Sequence, residues 1–159
     1  PEGYEPLHDS ENHYGAPAHL EPHSAVLLRA LGLLVLKPSS ASAITDELLP
    51  ERGGMLSNLL HDVVKQVRET PELSTAALLG YWMGRDEGEL LSEAAAREII
   101  DDEQHISEHL MAILNKLSRD RHITLLRKRA ETLKSVTYTA LSNEQKRELV
   151  ALTLSLIHI

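Results

Sequence analysis

The carboxyl-terminal sequence ALSNEQKRELVALTLSLIHI (residues 140–159) decides how this end of the chain folds. Ser142 and Gln145 have the S-x-x-Q spacing of a capping box, which predicts that a helix begins there. The apolar residues that follow recur at steps of three and four, and they fall on two stripes more than about 90° apart by the 3.6-residue period. The first stripe comprises Leu149, Leu152, Leu156 and Ile159, and the second comprises Val150, Leu154 and Ile157.

These two stripes need two different neighbours. A single antiparallel helix covers only one of them, and so short a helical unit is marginally stable without outside contacts. We therefore predict that the first stripe packs within the chain and that Val150, Leu154 and Ile157 bind a second surface. Docking on a partner protein is the leading interpretation, and self-association through the exposed apolar stripe is the alternative.

The segment before this helix predicts one long helix. No Gly or Pro interrupts residues 103–136, which corresponds to roughly 50 Å of helix at about 1.5 Å per residue. Both ends carry apolar stripes, but SRDRH (118–122) between them is polar on every side. A helix that is polar all round is typical of a bridge through solvent between two packed bodies. We expect a larger bundle before this bridge and a smaller unit, formed with the closing helix, after it.

The region upstream also has helical periodicity. The apolar run AVLLRALGLLVL, with Ser24 as a candidate N-cap, predicts a central buried helix that ends before Pro38. Apolar residues recur at helical spacing again from Met55 to Val67, and Ser74 is placed to cap TAALLGYWM, whose Trp82 we expect in the core. No window alternates as a strand would. We predict an all-α fold, with an N-terminal helical bundle joined by a long helix to a C-terminal helical hairpin.

Four parts follow from this pattern. Residues 1–22 are rich in Pro, Gly, His and acidic residues and almost lack aliphatic ones, so we predict a flexible linker. The bundle then covers residues 23–117, the connecting helix covers 118–136 (continuing from about 103), and the hairpin helix covers 137–159. Because the chain does not begin with Met, we expect it to be part of a longer protein.

Composition excludes several kinds of function. The chain has 24 acidic and 16 basic residues and a net charge of −8, so we expect no direct nucleic-acid binding through phosphate contacts. Without Cys there is no thiolate metal site and no Cys nucleophile, which suits a cytoplasmic protein. The longest apolar run is too short to span a bilayer, so no membrane partner is expected. A basic cluster between Lys116 and Lys134 is interpreted as a solvated face or as a docking strip for an acidic protein.

One short motif imitates a catalytic site. HISEH (105–109) fits the H-x-x-E-H pattern of inverted zinc peptidases, and helical spacing brings His105, Glu108 and His109 near one face. A catalytic zinc needs a further protein ligand, and the acidic residues just before the motif favour a solvated charged face at a helix start. A zinc-dependent enzyme using these three residues is kept as an alternative, and we predict no catalytic residue.

Two segments carry a family likeness. GLLVLKP (32–38) and LSNEQKREL (141–149), in this order and at this separation, resemble the C-terminal helicase-binding domain of bacterial DnaG-type DNA primases. The resemblance runs from about Ser24 to Ile159. It implies a domain of the primosome that docks primase on the replicative DnaB-type helicase and stimulates it during primer synthesis in DNA replication, in the bacterial cytoplasm.

The resemblance also implies which chemistry is absent. The full-length parent would be a DNA primase, a nucleotidyltransferase, whereas this fragment would not be an enzyme. Zinc and magnesium would belong to upstream domains, so the resemblance implies no cofactor here.

Contact residues are implied as well. Family contact positions near the end of the last helix fall on Leu154 and His158, and relatives have polar or basic residues there, so we expect a more apolar contact. Arg147, Val150 and Ile157 complete the predicted helicase-binding set.

A second binding site is implied on the first helix. Relatives bind the acidic tail of single-stranded-DNA-binding protein there, and the corresponding apolar positions are Val26, Leu27 and Leu31. The expected basic partners fall near His23 and Leu28, so Arg29 would take their role.

Overall fold

The computed structural model describes residues 21–98, 103–136 and 138–158. These ranges are helical and contain no β-strand, which confirms the predicted all-α fold. The α-helices are α1 (Ser24–Leu36), α2 (Met55–Glu69), α3 (Thr75–Trp82), α4 (Asp86–Arg97), α5 (Ile106–Lys134) and α6 (Asn143–Ile157). Short 3-10 helices occupy Pro38–Ala43, Asp46–Leu48, Glu103–His105 and Tyr138–Ala140.

The chain forms two compact units, which we call unit 1 and unit 2, divided between Leu114 and Asn115 inside α5. The sequence predicts that the bundle ends at residue 117, a few residues later than this division. Unit 2 contains the last part of α5 together with α6. The structure therefore assigns the segment predicted as a connecting helix to the same compact unit as the closing helix.

Helix α1 lies in the middle of unit 1. It packs against α4, α2 and α3, and its residues Leu31, Leu34 and Val35 are fully buried. Gly32 lies so close to α4 that an added Cβ would overlap the Ala94 carbonyl. The predicted central, buried helix is confirmed, and a residue without a side chain permits its close approach to α4.

Three helix starts test the predicted caps. Ser74 Oγ accepts a hydrogen bond from Ala77 N (3.2 Å) at the start of α3, which confirms that cap. The Ser142–Gln145 capping box of α6 is also confirmed. The cap predicted at Ser24 is wrong: Ser24 is already in the helix, and His23 precedes it with a left-handed φ of 61° and no side-chain cap.

The start of α2 is capped by a residue from far away in sequence. The Glu21 carboxylate accepts hydrogen bonds from Leu56 N (2.7 Å) and Ser57 N (2.9 Å), and Glu21 is only 8% exposed. Gly54 leaves room for it, since an added Cβ would overlap the Glu21 carboxyl. Glu21 is thus packed into unit 1, although the sequence predicts a linker through residue 22. Residues 1–20 lie outside the described residues, so the rest of that linker stays a prediction.

A second hydrophobic core holds unit 2 together. Leu126, Ala130 and Leu133 of α5 meet α6 around the turn residue Leu141. From α6, the buried residue is Leu152, with Leu149 and Leu156 packed beside it. The first stripe therefore packs within the chain as predicted, apart from Ile159, which lies outside the described residues.

Candidate partner-binding surface

The second stripe of α6 is exposed. Val150, Leu154 and Ile157 are 55%, 53% and 68% exposed, although each is a large aliphatic residue. Helical geometry explains this, because Leu154 lies about 200° around the helix from Leu152, which faces α5. The packing prediction is thus confirmed: the chain covers one stripe and leaves the other open to solvent.

The other two predicted helicase-binding residues lie on the same outward face. Arg147 and His158 are both exposed, and His158 follows Leu154 by one helical turn while Arg147 precedes it by two. The structure brings all five members of the predicted set together on the face of α6 that points away from α5. Apolar residues form the middle of this face, and groups able to carry positive charge stand at its ends. We call it the α6 face.

An ion pair marks one edge of the hairpin. The Arg129 guanidinium donates two hydrogen bonds to the Glu148 carboxylate, from Nε (2.7 Å) and from Nη2 (3.0 Å). These hydrogen bonds, together with the nearby positive charge, hold the pKa of the Glu148 carboxyl below its ordinary value. Val150 and Ile157 are each about 180–200° around α6 from Glu148. The apolar residues therefore do not share an edge with this ion pair.

Sequence reasoning missed one exposed aromatic group near the α6 face. Tyr138, in the turn before α6, is 57% exposed, and Lys146 Nζ lies 4.8 Å from its ring centroid. This cation–π contact holds Lys146 one helical turn before Val150. The signal in the sequence is weak, because a single Tyr in a polar turn is also typical of ordinary surface.

The predicted pocket on α1 does not form an open surface. Leu27 and Leu31 are 3% and 0% exposed, so both side chains are part of the unit 1 core. Val26 is half-buried, and Arg29 lies on the surface, where its Nε is 3.6 Å from a Glu98 carboxylate oxygen. Only Val26 and Arg29 of the four predicted residues reach the surface. Binding of an acidic tail there stays a prediction, and in this structure the buried leucines offer it no pocket.

Unit 1 has an aromatic groove of its own. A groove of about 520 Å³ lies between α2 and α3 and is lined by Gln66, Tyr81 and Trp82 among others. Trp82 is nearly buried, as predicted for a core anchor, and its Nε1 donates to Gln66 Oε1 at 2.9 Å. The Arg85 guanidinium lies 5.3 Å from the ring centroid of Tyr81 and 5.3 Å from that of Trp82. Asp62, Lys65 and Glu69 also line the groove, so charged side chains lie beside its aromatic wall.

The zinc motif has no support in the described part of the chain. No three His, Asp or Glu side chains come together there as a metal site requires, and this includes His105, Glu108 and His109. Among the helices of the described ranges, none is both long and apolar enough to cross a membrane.

Comparison with known proteins gives one consistent family. The family model described as DNA primase DnaG DnaB-binding matches residues 27–152. Two DNA primase sequences of Pseudomonas putida are each 29% identical over 140 residues, which covers 86% of this chain. That match covers 20% of each relative, so the chain spans about a fifth of the length of the curated relatives it matches. Among solved structures, the DnaG primase C-terminal domain from Vibrio cholerae is 27% identical with a TM-score of 0.52, and the match covers 81% of this chain and 96% of that one.

Proposed function

This chain belongs to the DnaB-binding family of DnaG primases, and on that premise we propose that it docks a primase on the replicative helicase through the α6 face. Val150, Leu154 and Ile157 form the apolar centre of the contact. Arg147 and His158 lie at its margin. The binding partner of the α6 face is the N-terminal domain of the helicase. Docking stimulates the helicase during primer synthesis in the bacterial cytoplasm.

The observation that carries this proposal is the exposure of the second stripe. Each of the three aliphatic side chains is more than half exposed at the end of a helix whose other stripe is already packed. Burying such a side chain completely is worth about 1.5–3 kcal/mol. A partner groove over this stripe would therefore gain several kcal/mol that the isolated chain cannot.

We also propose that this chain itself catalyses no reaction and needs no cofactor. The relatives it matches are DNA primases, but the match covers about a fifth of their length. Polymerisation, with its zinc and magnesium, would reside in the other parts of such proteins. A primer-synthesis assay on this chain alone, with template and nucleotides, should give no product.

The decisive experiment is a binding titration of this chain against the N-terminal domain of the cognate helicase. The Val150→Asp/Leu154→Asp double variant should bind about 30-fold more weakly or worse, because two charged groups would enter an apolar contact. Ser155→Asp is the matched control, since Ser155 is exposed and lies two helical turns after Glu148, on the edge of the ion pair and away from Val150 and Leu154. It should change the affinity by less than about twofold.

Point variants are sharper here than deletion of residues 137–159. That deletion would remove the partners of Ala130 and Leu133 and expose the second core. Undiminished binding by the double variant would contradict the proposal.

Self-association is the alternative use of the same stripe. A copy of the chain could cover Val150, Leu154 and Ile157 across a two-fold axis. Sedimentation over a wide concentration range distinguishes the two uses. If the stripe binds the helicase, the chain should be a monomer at every concentration. If the chain forms a dimer and Leu154→Asp prevents it, the stripe pairs with its own copy.

A further inference from the structure

Charge is divided very unevenly between the two units. Residues 115–159 contain nine Lys and Arg against four Asp and Glu, a net charge of +5. The rest of the chain contains seven Lys and Arg against 20 Asp and Glu, a net charge of −13. Unit 2, which carries the α6 face, is therefore basic although the whole sequence is acidic.

Most of the cations in α5 beyond Leu114 are unneutralised. Arg129 pairs with Glu148, and Arg121 also has a partner. The remaining five are exposed and form no ion pair within the described ranges; they are Lys116, Arg119, Arg127, Lys128 and Lys134.

Two of these cations lie on the edge of the hairpin towards which Val150 and Ile157 turn. The Arg129–Glu148 pair occupies the other edge. Arg127 is about 200° around α5 from Arg129, and Lys134 is about 140° from it, so both lie on the side away from the pair. On α6, Lys146 and Val150 are each about 200° from Glu148 by the same period.

We propose that Arg127, Lys134 and Lys146 form a cationic border along the apolar stripe, and that the helicase surface it fits is an apolar groove bordered by carboxylates. This inference rests on the proposed function and specifies the chemistry of the partner. Arg127 and Lys134 are exposed and Lys146 is half-buried. Glu131 also lies on this edge, about 200° from Arg129, so the edge carries three cations and one carboxylate. The excess of positive charge is stabilised by an acidic surface opposite it. They would accelerate association and set the register of docking more than they would add affinity.

A protein surface fits these residues better than a nucleic acid does. Single-strand binders use aromatic platforms between their cations, whereas the centre of this edge is aliphatic. Tyr138 is an exposed aromatic residue beside it, and Lys146 already lies over its ring. An aliphatic centre with a charged margin is instead the arrangement of a protein–protein interface.

Adjacent residues of α5 give a closely matched test. Arg127→Glu and Lys128→Glu change the net charge equally, but the two side chains are about 100° apart and only Arg127 is on the stripe's edge. Helicase binding at low salt should weaken about fivefold for Arg127→Glu and less than about twofold for Lys128→Glu. The difference should shrink towards none as salt rises, since salt screens exposed charges. Thermal unfolding of both variants checks that the hairpin remains folded.

The outcomes separate this inference from the proposed function. If Val150→Asp/Leu154→Asp abolishes binding but the two charge reversals weaken it equally, the α6 face binds the helicase and the cationic border is wrong. If the double variant has no effect, the proposed function fails and this inference fails with it. Binding of a labelled single-stranded oligonucleotide that Arg127→Glu removes and helicase competes away would assign the border to nucleic acid and overturn the inference.

Discussion

Leu152 and Leu154 are two residues apart on one helix, yet Leu152 is 9% exposed and Leu154 is 53% exposed. The difference comes from the 3.6-residue period, which turns Leu152 towards Leu133 and Ala130 and turns Leu154 away. One face of α6 therefore packs in the core of unit 2, and the opposite face carries the residues proposed to bind the helicase.

Truncation of these two leucines should separate the two roles. Leu152→Ala should destabilise unit 2 by about 2–3 kcal/mol, because it leaves a cavity in a small core. Leu154→Ala should change the free energy of unfolding by less than about 0.5 kcal/mol while weakening helicase binding. Hydrogen exchange of α6 amides and the binding titration measure the two effects. Equal destabilisation by both would contradict the packing described for this hairpin.

Removal of the long-range cap should destabilise unit 1. Glu21→Ala leaves the N–H groups of Leu56 and Ser57 without their acceptor, which should cost about 1–2 kcal/mol of the free energy of unfolding. Glu51→Ala is the control, because Glu51 is exposed and lies shortly before α2 in the sequence; it should leave the free energy of unfolding nearly unchanged. Chemical denaturation followed by circular dichroism measures both. A neutral Glu21→Ala would show that the cap contributes nothing to stability.

Two glycines should respond to alanine in opposite directions. At Gly32 a Cβ would overlap the Ala94 carbonyl, so Gly32→Ala should force α1 and α4 apart and destabilise unit 1 by about 1–3 kcal/mol. At Gly80, inside α3, nothing lies within 4 Å of an added Cβ. Gly80→Ala should therefore be neutral or stabilise by up to about 1 kcal/mol through its helix propensity. Melting temperatures of the two variants give the comparison.

The ion pair on the edge of the hairpin should make unit 2 sensitive to acid. Hydrogen bonding from Arg129 lowers the pKa of the Glu148 carboxyl. A lowered carboxyl pKa means that the stabilisation is present above the unfolded-state value and is lost as the pH falls through the folded-state value. Titration of the Glu148 carboxyl by NMR should show its pKa rising towards the ordinary value in Arg129→Gln. An unchanged pKa in that variant would mean that Arg129 is not the cause.

Local patterns predicted much of the fold because they act within a few residues. The capping box at Ser142 and Gln145 and the cap at Ser74 each join groups three residues apart, so the sequence alone is sufficient to find them. Ser24 shows the limit of such patterns. A cap-forming residue type stands before an apolar run, but the backbone at His23 lets the helix begin one residue earlier than that cap requires.

The candidate surface was predicted in part for the same reason. The helical period alone was enough to identify two stripes on α6. It was also enough to predict that a single neighbouring helix covers one stripe and leaves the other exposed. The cationic border depends on which residues α5 and α6 turn to the same edge, and the Arg129–Glu148 pair that identifies the edges joins positions 19 residues apart. The zinc motif shows the converse, because its spacing fits a pattern but no metal-binding group forms in the described ranges.

The sequence by itself determined that this protein is helical, that its last helix has two apolar stripes, and that a hairpin must leave one of them open. These properties follow from backbone hydrogen bonding and side-chain periodicity, which are local. Only the tertiary structure decided that Glu21 caps α2 across 35 residues, that Leu27 and Leu31 are buried in the core, and that Arg129 meets Glu148. Such pairings join residues that are distant in sequence and meet only through tertiary packing. The local periodicity of side chains does not determine them.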